Sequence, residues 1–343
     1  MSQEPAPVRT PSAVVVGIDE AGYGPLLGPL VASAVAFDVP TPVLKALPDA
    51  AAGPDLWSLL RASVTAKASR RDPRLAVADS KKLHGKGGDG VKAITLLERG
   101  ALAFISLAGQ PPDTLQALLE RLCPAAGELL ADHPWYRSTD LALPVAAGAT
   151  EIALQRNSLA ADLASTGLRF RGAWVEVLPE RHFNDRVQAT RNKAVVLFGL
   201  TGRLMQRVAD SLGQRPLRIW IDRQGGRTGY RRPLMRAFED AQLEVLEEGK
   251  DRSGYLLNFS SASWSVRFVT SGETHHLPIA LASMFSKYVR ELLMICFNRY
   301  WAACVPGLRP TAGYYEDGKR FLADIDHVVR AQGLARQHLV RAL

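Results

Sequence analysis

The run Ala13 to Ile18 is rich in valine, passes straight into Asp19 and Glu20, and is then turned by Gly22, Gly24 and Pro25. Such a run reads as a buried strand. Leu26 to Phe37 resumes as a second apolar stretch broken by Gly28 and Pro29, so a hairpin is expected. Ending a buried strand on acids is a strong constraint, because an ionised carboxylate at the edge of an apolar sheet loses hydration. It needs a cation, a hydrogen-bond network or a raised pKa. Successive strand residues point to opposite faces, so Asp19 and Glu20 share a site only if the strand bends or ends there, which the glycines permit.

The pattern recurs at Leu217 to Ile221, a strand that ends on Asp222 ahead of the loop Gly225 to Gly229. A third acid lies on a helix expected over Ile279 to Trp301, where Ser283, Lys287 and Glu291 follow one another at i, i+4 and i+8. That spacing puts all three on one face, beside an apolar stripe of Met284, Tyr288, Leu292 and Ile295. Several carboxylates with an incomplete shell suit Mg²⁺ or Mn²⁺, whose remaining positions water and phosphate oxygens fill. The same acids also have a plainer reading, as strand-end caps and a solvated helix face.

Composition narrows the partner. The chain holds 42 Lys and Arg against 34 Asp and Glu, a formal charge of +8, which favours a polyanion such as nucleic acid or an acidic membrane surface. Cys123, Cys296 and Cys304 lack metal-ligand spacing and form an odd set, which argues against a disulfide framework and a zinc ribbon and points to a reducing, cytoplasmic setting. Residues 1–12 read as a flexible tail and not a signal peptide, and no uncharged run reaches the ~18 residues of a membrane span.

The remaining pattern reads as helices over Leu56 to Ala66, Val91 to Gly100, Thr114 to Leu122, Ala125 to Ala131 and Asn184 to Leu212. Strands are expected at Ala101 to Leu107 and Leu168 to Leu178, with a hairpin inside Leu243 to Leu277. Strands interleaved with helices predict an α/β domain. His275 and His276 are adjacent, so in a strand they point apart and do not form a metal pair. The glycine-rich turn Gly85 to Gly90 lacks the spacing of a phosphate-binding loop.

The block Gly17-Ile18-Asp19-Glu20-Ala21-Gly22-Tyr23-Gly24-Pro25-Leu26-Leu27-Gly28-Pro29 resembles the opening signature of ribonuclease HII. Asp79-Ser80-Lys81-Lys82-Leu83 is similar to that family's second motif, Ile221-Asp222 to its third, and Ala282-Ser283 through Lys287 to Arg290-Glu291 to its fourth. Gly313-Tyr314 echoes the C-terminal motif, and the five occur in the family's order. Tyr23 stands where arginine is usual and Glu291 where aspartate is usual. The threonine and histidine expected after Tyr314 are absent.

The resemblance implies a ribonuclease H-like mixed sheet flanked by helices, opening with antiparallel strands, as one domain over residues 13–343. Longer spacing between motifs places insertions at 109–167 and 251–276, ahead of a C-terminal helical segment. It also implies an endonuclease that hydrolyses the RNA strand of RNA–DNA hybrids, leaving 5′-phosphate and 3′-hydroxyl ends. The expected partner is an RNA–DNA hybrid or ribonucleotide-containing DNA, and the chain is expected to be a monomer. Asp19, Glu20, Asp222 and Glu291 fall at the catalytic, metal-binding carboxylates, with Mg²⁺ or Mn²⁺ as cofactor. The backbone of Gly22, Tyr23 and Gly24 falls where the ribose 2′-hydroxyl is recognised. Lys81, Lys82, Ser283 and Lys287 are the further candidates for gripping substrate, and Tyr314 for stacking on a nucleotide. Two alternatives remain open: a metal-dependent nuclease for another nucleic-acid structure, and a non-catalytic hybrid binder.

Overall fold

The computed structural model describes residues 12–46, 53–69, 71–85, 90–213 and 215–342. Most of the N-terminal tail and of the glycine-rich turn, residues 1–11 and 86–89, lie outside these. Among the described residues, seven strands form one sheet: β1 (Ser12–Ala21), β2 (Leu30–Pro40), β3 (Arg169–Leu178), β4 (Leu217–Asp222), β5 (Gln242–Glu248), β6 (Arg252–Asn258) and β7 (Ser263–Val269). Their order is β3-β2-β1-β4-β7-β6-β5. β1, β4 and β7 run parallel, while β2, β3 and β6 pair antiparallel with their neighbours. The expected mixed sheet, with its opening antiparallel pair, is therefore present.

Helices cover both faces, which is why β1 is apolar at consecutive positions and not at alternate ones. Val14, Val16 and Ile18 join a core with Phe198 and Leu204 of one flanking helix (Lys193–Leu212), whereas Val15 points to the core built on Leu277–Cys304. That last helix has 28 residues and is buried almost all round, as a helix lying across a sheet must be. It crosses β1 so closely that a Cβ on Gly17 would stand 2.1 Å from the carbonyl carbon of Pro278. This explains a glycine in the middle of a valine run.

Three local expectations are corrected and one helix is added. Ala101 to Leu107 is not a strand, since a helix spans Thr95–Ile105 and packs between Leu277–Cys304 and another helix, Ala149–Thr166. A short apolar run buried on all sides looks alike in either state. The helix predicted over Leu56 to Ala66 is a single turn, Leu56–Leu59, followed by a short strand at Val64–Thr65. The span Asn184 to Leu212 is two helices, Glu180–Thr190 and Lys193–Leu212, broken where Arg191 turns left-handed at φ 51° and Asn192 caps the second. Ala149–Thr166 has no clear apolar stripe and escaped the sequence reading.

Residues 109–167 pack on the core through a buried acid. Glu98 accepts the N–H groups of Val145, Ala146 and Ala147 at 2.6–2.7 Å and the Tyr288 hydroxyl at 2.9 Å. Residues 251–276 include β6 and β7, so they complete the sheet. His276 is buried and stacks on Trp220, with ring centroids 5.5 Å apart, and burial holds its pKa down at about 4.

Candidate active site

The parallel register carries two acids to one place. Ile18 pairs with Ile221, so Asp19 and Asp222 follow side by side at the carboxyl ends of adjacent strands, where sheets of this kind place their ligand sites. β1 ends at Ala21, which brings Glu20 into the same neighbourhood. The Glu20 N–H donates to Asp19 Oδ1 at 2.7 Å.

A fourth acid arrives from a direction the sequence reading missed. After β7, the parallel neighbour of β4, a single turn at Gly272–Thr274 presents Glu273 to Asp222. The Gly272 N–H donates to Asp222 Oδ1 at 2.8 Å. The signal was available: the alternating run Ser263 to Phe268 fits a strand, and the first acid after a strand parallel to β4 lies at the same sheet edge.

These acids repel one another. Burial, then Glu20 and Asp222, push the Asp19 carboxyl well above its ordinary range, offset in part by a hydrogen bond to Ser283. Burial and Asp222 raise Glu20 to about 8, against the pull of Lys81. Burial and Glu273 raise Asp222 to about 7. Lys81 is the cation that opposes the shift in both Glu20 and Asp222, and it reaches them from a one-turn helix, Ser80–Leu83, capped by the Asp79 carboxylate. Ser283 Oγ lies 2.9 Å from Ser80 Oγ, tying that turn to Leu277–Cys304.

Glu291 does not join this group. Eight residues beyond Ser283 on a helix is about 12 Å further along the axis, and there its carboxylate meets Lys287 at 2.6 Å, His84 at 3.6 Å and Arg290 at 3.8 Å. Burial would raise its pKa, but these partners prevail and hold it near 2. The same pairing occupies Lys287, the expected phosphate contact. A depressed carboxyl adds stability that is full above its unfolded pKa of about 4.5 and is lost as pH falls towards 2. Glu291→Gln should therefore lower the melting temperature at pH 7, and the gap to the parent should close in melts run down to pH 2. A constant gap would count against this role.

The glycine turn after Glu20 is held from below. Gly22 has φ +86°, and a Cβ there would meet Arg290 Nε at 2.4 Å. The buried Arg290 donates to Leu27 O (3.0 Å) and Ala312 O (3.3 Å). Arg341 donates to Pro25 O (2.6 Å) and Tyr23 O (3.2 Å), while Gly313 O accepts the N–H groups of Leu26 and Leu27. Gly24 faces open space, with nothing within 4 Å of a Cβ built on it. Tyr314 is 53% exposed beside this turn, and Lys82 is exposed next to Lys81.

Among the described residues, no three His, Cys, Asp or Glu side chains converge tightly enough to hold a metal ion. The chemistry of the donors, as distinct from their spacing, suits a hard divalent cation. They are all carboxylate oxygens, which such cations select. Glu273 Oε2 is buried and accepts no hydrogen bond, an uncompensated acceptor beside a repelled Asp222.

No family model matches the chain. Ribonuclease HII of Paraburkholderia xenovorans is 54% identical over 41 residues, 12% of this chain and 16% of that protein. Ribonuclease HII of Cupriavidus pinatubonensis is 47% identical over 49 residues, 14% and 22% of the two chains. The match thus spans less than a quarter of these curated relatives. Among solved structures, a variant of Bst-RNase HIII aligns over 96% of this chain and 66% of its own, with a TM-score of 0.43 and 16% identity. In that short stretch of sequence, as in its motifs, the chain resembles ribonuclease HII as a divergent relative.

Proposed function

We propose that this chain is a metal-dependent endonuclease that hydrolyses the RNA strand of RNA–DNA hybrids and leaves 5′-phosphate and 3′-hydroxyl ends. The observation that carries the reading is the pair Asp19 and Asp222 on adjacent parallel strand ends, with Glu20 and Glu273 against them, where burial first and like charge second raise the pKa values of Asp19, Glu20 and Asp222. Four acids and a phosphodiester belong together only with cations between them. Asp19, Glu20, Asp222 and Glu273 would hold Mg²⁺ or Mn²⁺, which when bound supplies charge neutralisation at the scissile phosphate and a water of lowered pKa.

The chain's own residues do the rest. The backbone of Gly22 to Gly24, fixed by Arg290 and Arg341, offers a rigid edge to the ribose 2′-hydroxyl, the group that separates RNA from DNA. Ser283 orients Asp19. Lys81 reaches over the acids and takes a phosphate oxygen of the bound strand. Lys81→Ala should weaken hybrid binding and lower the slope of log affinity against log salt by about one. An unchanged slope in an anisotropy titration would remove Lys81 from this role.

The activity itself is tested with three duplexes, each with Mg²⁺, Mn²⁺ or EDTA: an RNA–DNA hybrid, DNA with one embedded ribonucleotide, and plain DNA. Cleavage of the hybrid, abolished by EDTA and absent on plain DNA, is expected. An intact hybrid with both metals, or cleavage that survives EDTA, would overturn the reading.

A further inference from the structure

We propose that a cleft beside the acidic site, walled by Arg227, Arg231, Arg232 and Arg236, carries the sugar-phosphate backbone of a nucleic-acid strand as it leaves the cleavage centre. The inference rests on the hybrid-nuclease reading and extends it to a surface outside the five motifs. The cleft encloses about 740 Å³. Between Asp222 and Glu239 the chain holds five arginines and no acid, so every charge on the stretch that leads out of Asp222 is positive.

The cations are available. Arg231, Arg232 and Arg236 are exposed and form no ion pair among the described residues. Arg227 lies over the Tyr230 ring at 5.7 Å, and its Nη1 is buried without a hydrogen-bond partner. The one carboxylate on the wall, Glu248, already accepts the Tyr255 hydroxyl. A concentration of guanidinium groups repels itself unless an anion lies among them, and the planar fork of arginine suits phosphate oxygens. Val195 and Phe198 add an apolar floor that fits sugar and base faces, which inorganic anions lack.

The cleft borders the glycine turn that follows Glu20. Lys193 Nζ lies 5.4 Å from the centre of the Tyr23 ring in the glycine turn, and Asn192 and Val195, on either side of Lys193, line the cleft. A strand that passes Glu20 and Tyr23 is thereby led to Arg227.

The test uses the full chain and labelled RNA–DNA hybrid, titrated by anisotropy between roughly 50 and 200 mM salt. In the triple variant Arg231→Gln, Arg232→Gln, Arg236→Gln, the salt slope should fall by about two to three units. The matching triple Arg→Lys variant should restore it, and Asp222→Asn should keep the parent slope while losing cleavage. A slope unchanged in the Gln triple, or lowered equally in the Lys triple, overturns the cleft. So does a polyglutamate competitor that displaces the hybrid as well as single-stranded DNA does. If the parent binds with this arginine-dependent slope yet cuts nothing, the nuclease reading fails and the cleft stands. If it cuts with a slope indifferent to the arginines, the reverse holds.

Discussion

Gly17→Ala is expected to lose stability by the upper end of the ~1–3 kcal/mol of an overpacked core, or by more. The added Cβ would lie 2.1 Å from the Pro278 carbonyl carbon and 2.3 Å from the Ile279 nitrogen. Both are backbone atoms near the start of a buried helix, so no side chain can rotate away to make room. Relief requires lifting Leu277–Cys304 from β1. That same helix supplies Ser286, whose hydroxyl donates to the Asp19 carbonyl at 2.9 Å, and Ser283 against the Asp19 carboxylate. Gly17→Ala should therefore impair cleavage as well as folding. Gly24→Ala, where the new methyl meets open space, should melt with the parent. Urea melts decide the matter: equal midpoints for Gly17→Ala and the parent would show that the helix does not lie where it is described.

The acid-to-amide variants should show the opposite combination. Asp19→Asn, Asp222→Asn and Glu273→Gln each remove part of a charge arrangement worth several kcal/mol to a phosphoryl transition state. At about 1.4 kcal/mol per decade this is a loss on the order of 10²–10³ in kcat. Hybrid affinity in the absence of cleavage should stay near the parent's, because the groups lost repel the substrate. Metal-free stability should hold or rise: Asp222→Asn removes the like charge that adds to burial in lifting Glu20 to about 8, Glu273→Gln the one that adds to burial in lifting Asp222 to about 7, and Asp19→Asn a carboxyl itself pushed up by burial, Glu20 and Asp222. Parallel kinetics and EDTA melts check both halves, and a variant that loses activity only because it unfolds would speak against a chemical role.

Much of this site was legible from sequence because its two central acids end strands that are apolar throughout. A run such as Ala13 to Ile18 admits few structures, and the glycines after Glu20 mark where it stops. Leu217 to Asp222 repeats the logic, and the α/β class followed from the same runs. The failures have physical causes. Helical spacing shows that Ser283, Lys287 and Glu291 share a face, but a shared face extends along an axis, and Glu291 lies too far along it. Glu273 sits in an irregular turn with no periodicity to announce it, and only the parallel pairing of β7 with β4 reveals that the turn overlooks Asp222. The helix Thr95–Ile105 was half misread because Ala101 to Ile105 is buried on every side.

Glu273, and not Glu291, completes the acid group around Asp19, Glu20 and Asp222. The most direct measurement is single-turnover cleavage of an RNA–DNA hybrid by Glu273→Gln and Glu291→Gln, side by side at a temperature where both are folded. Glu273→Gln is predicted to lose cleavage by the factor given above and Glu291→Gln to cut at close to the parent rate. Full activity in Glu273→Gln, with loss in a folded Glu291→Gln, would contradict this assignment.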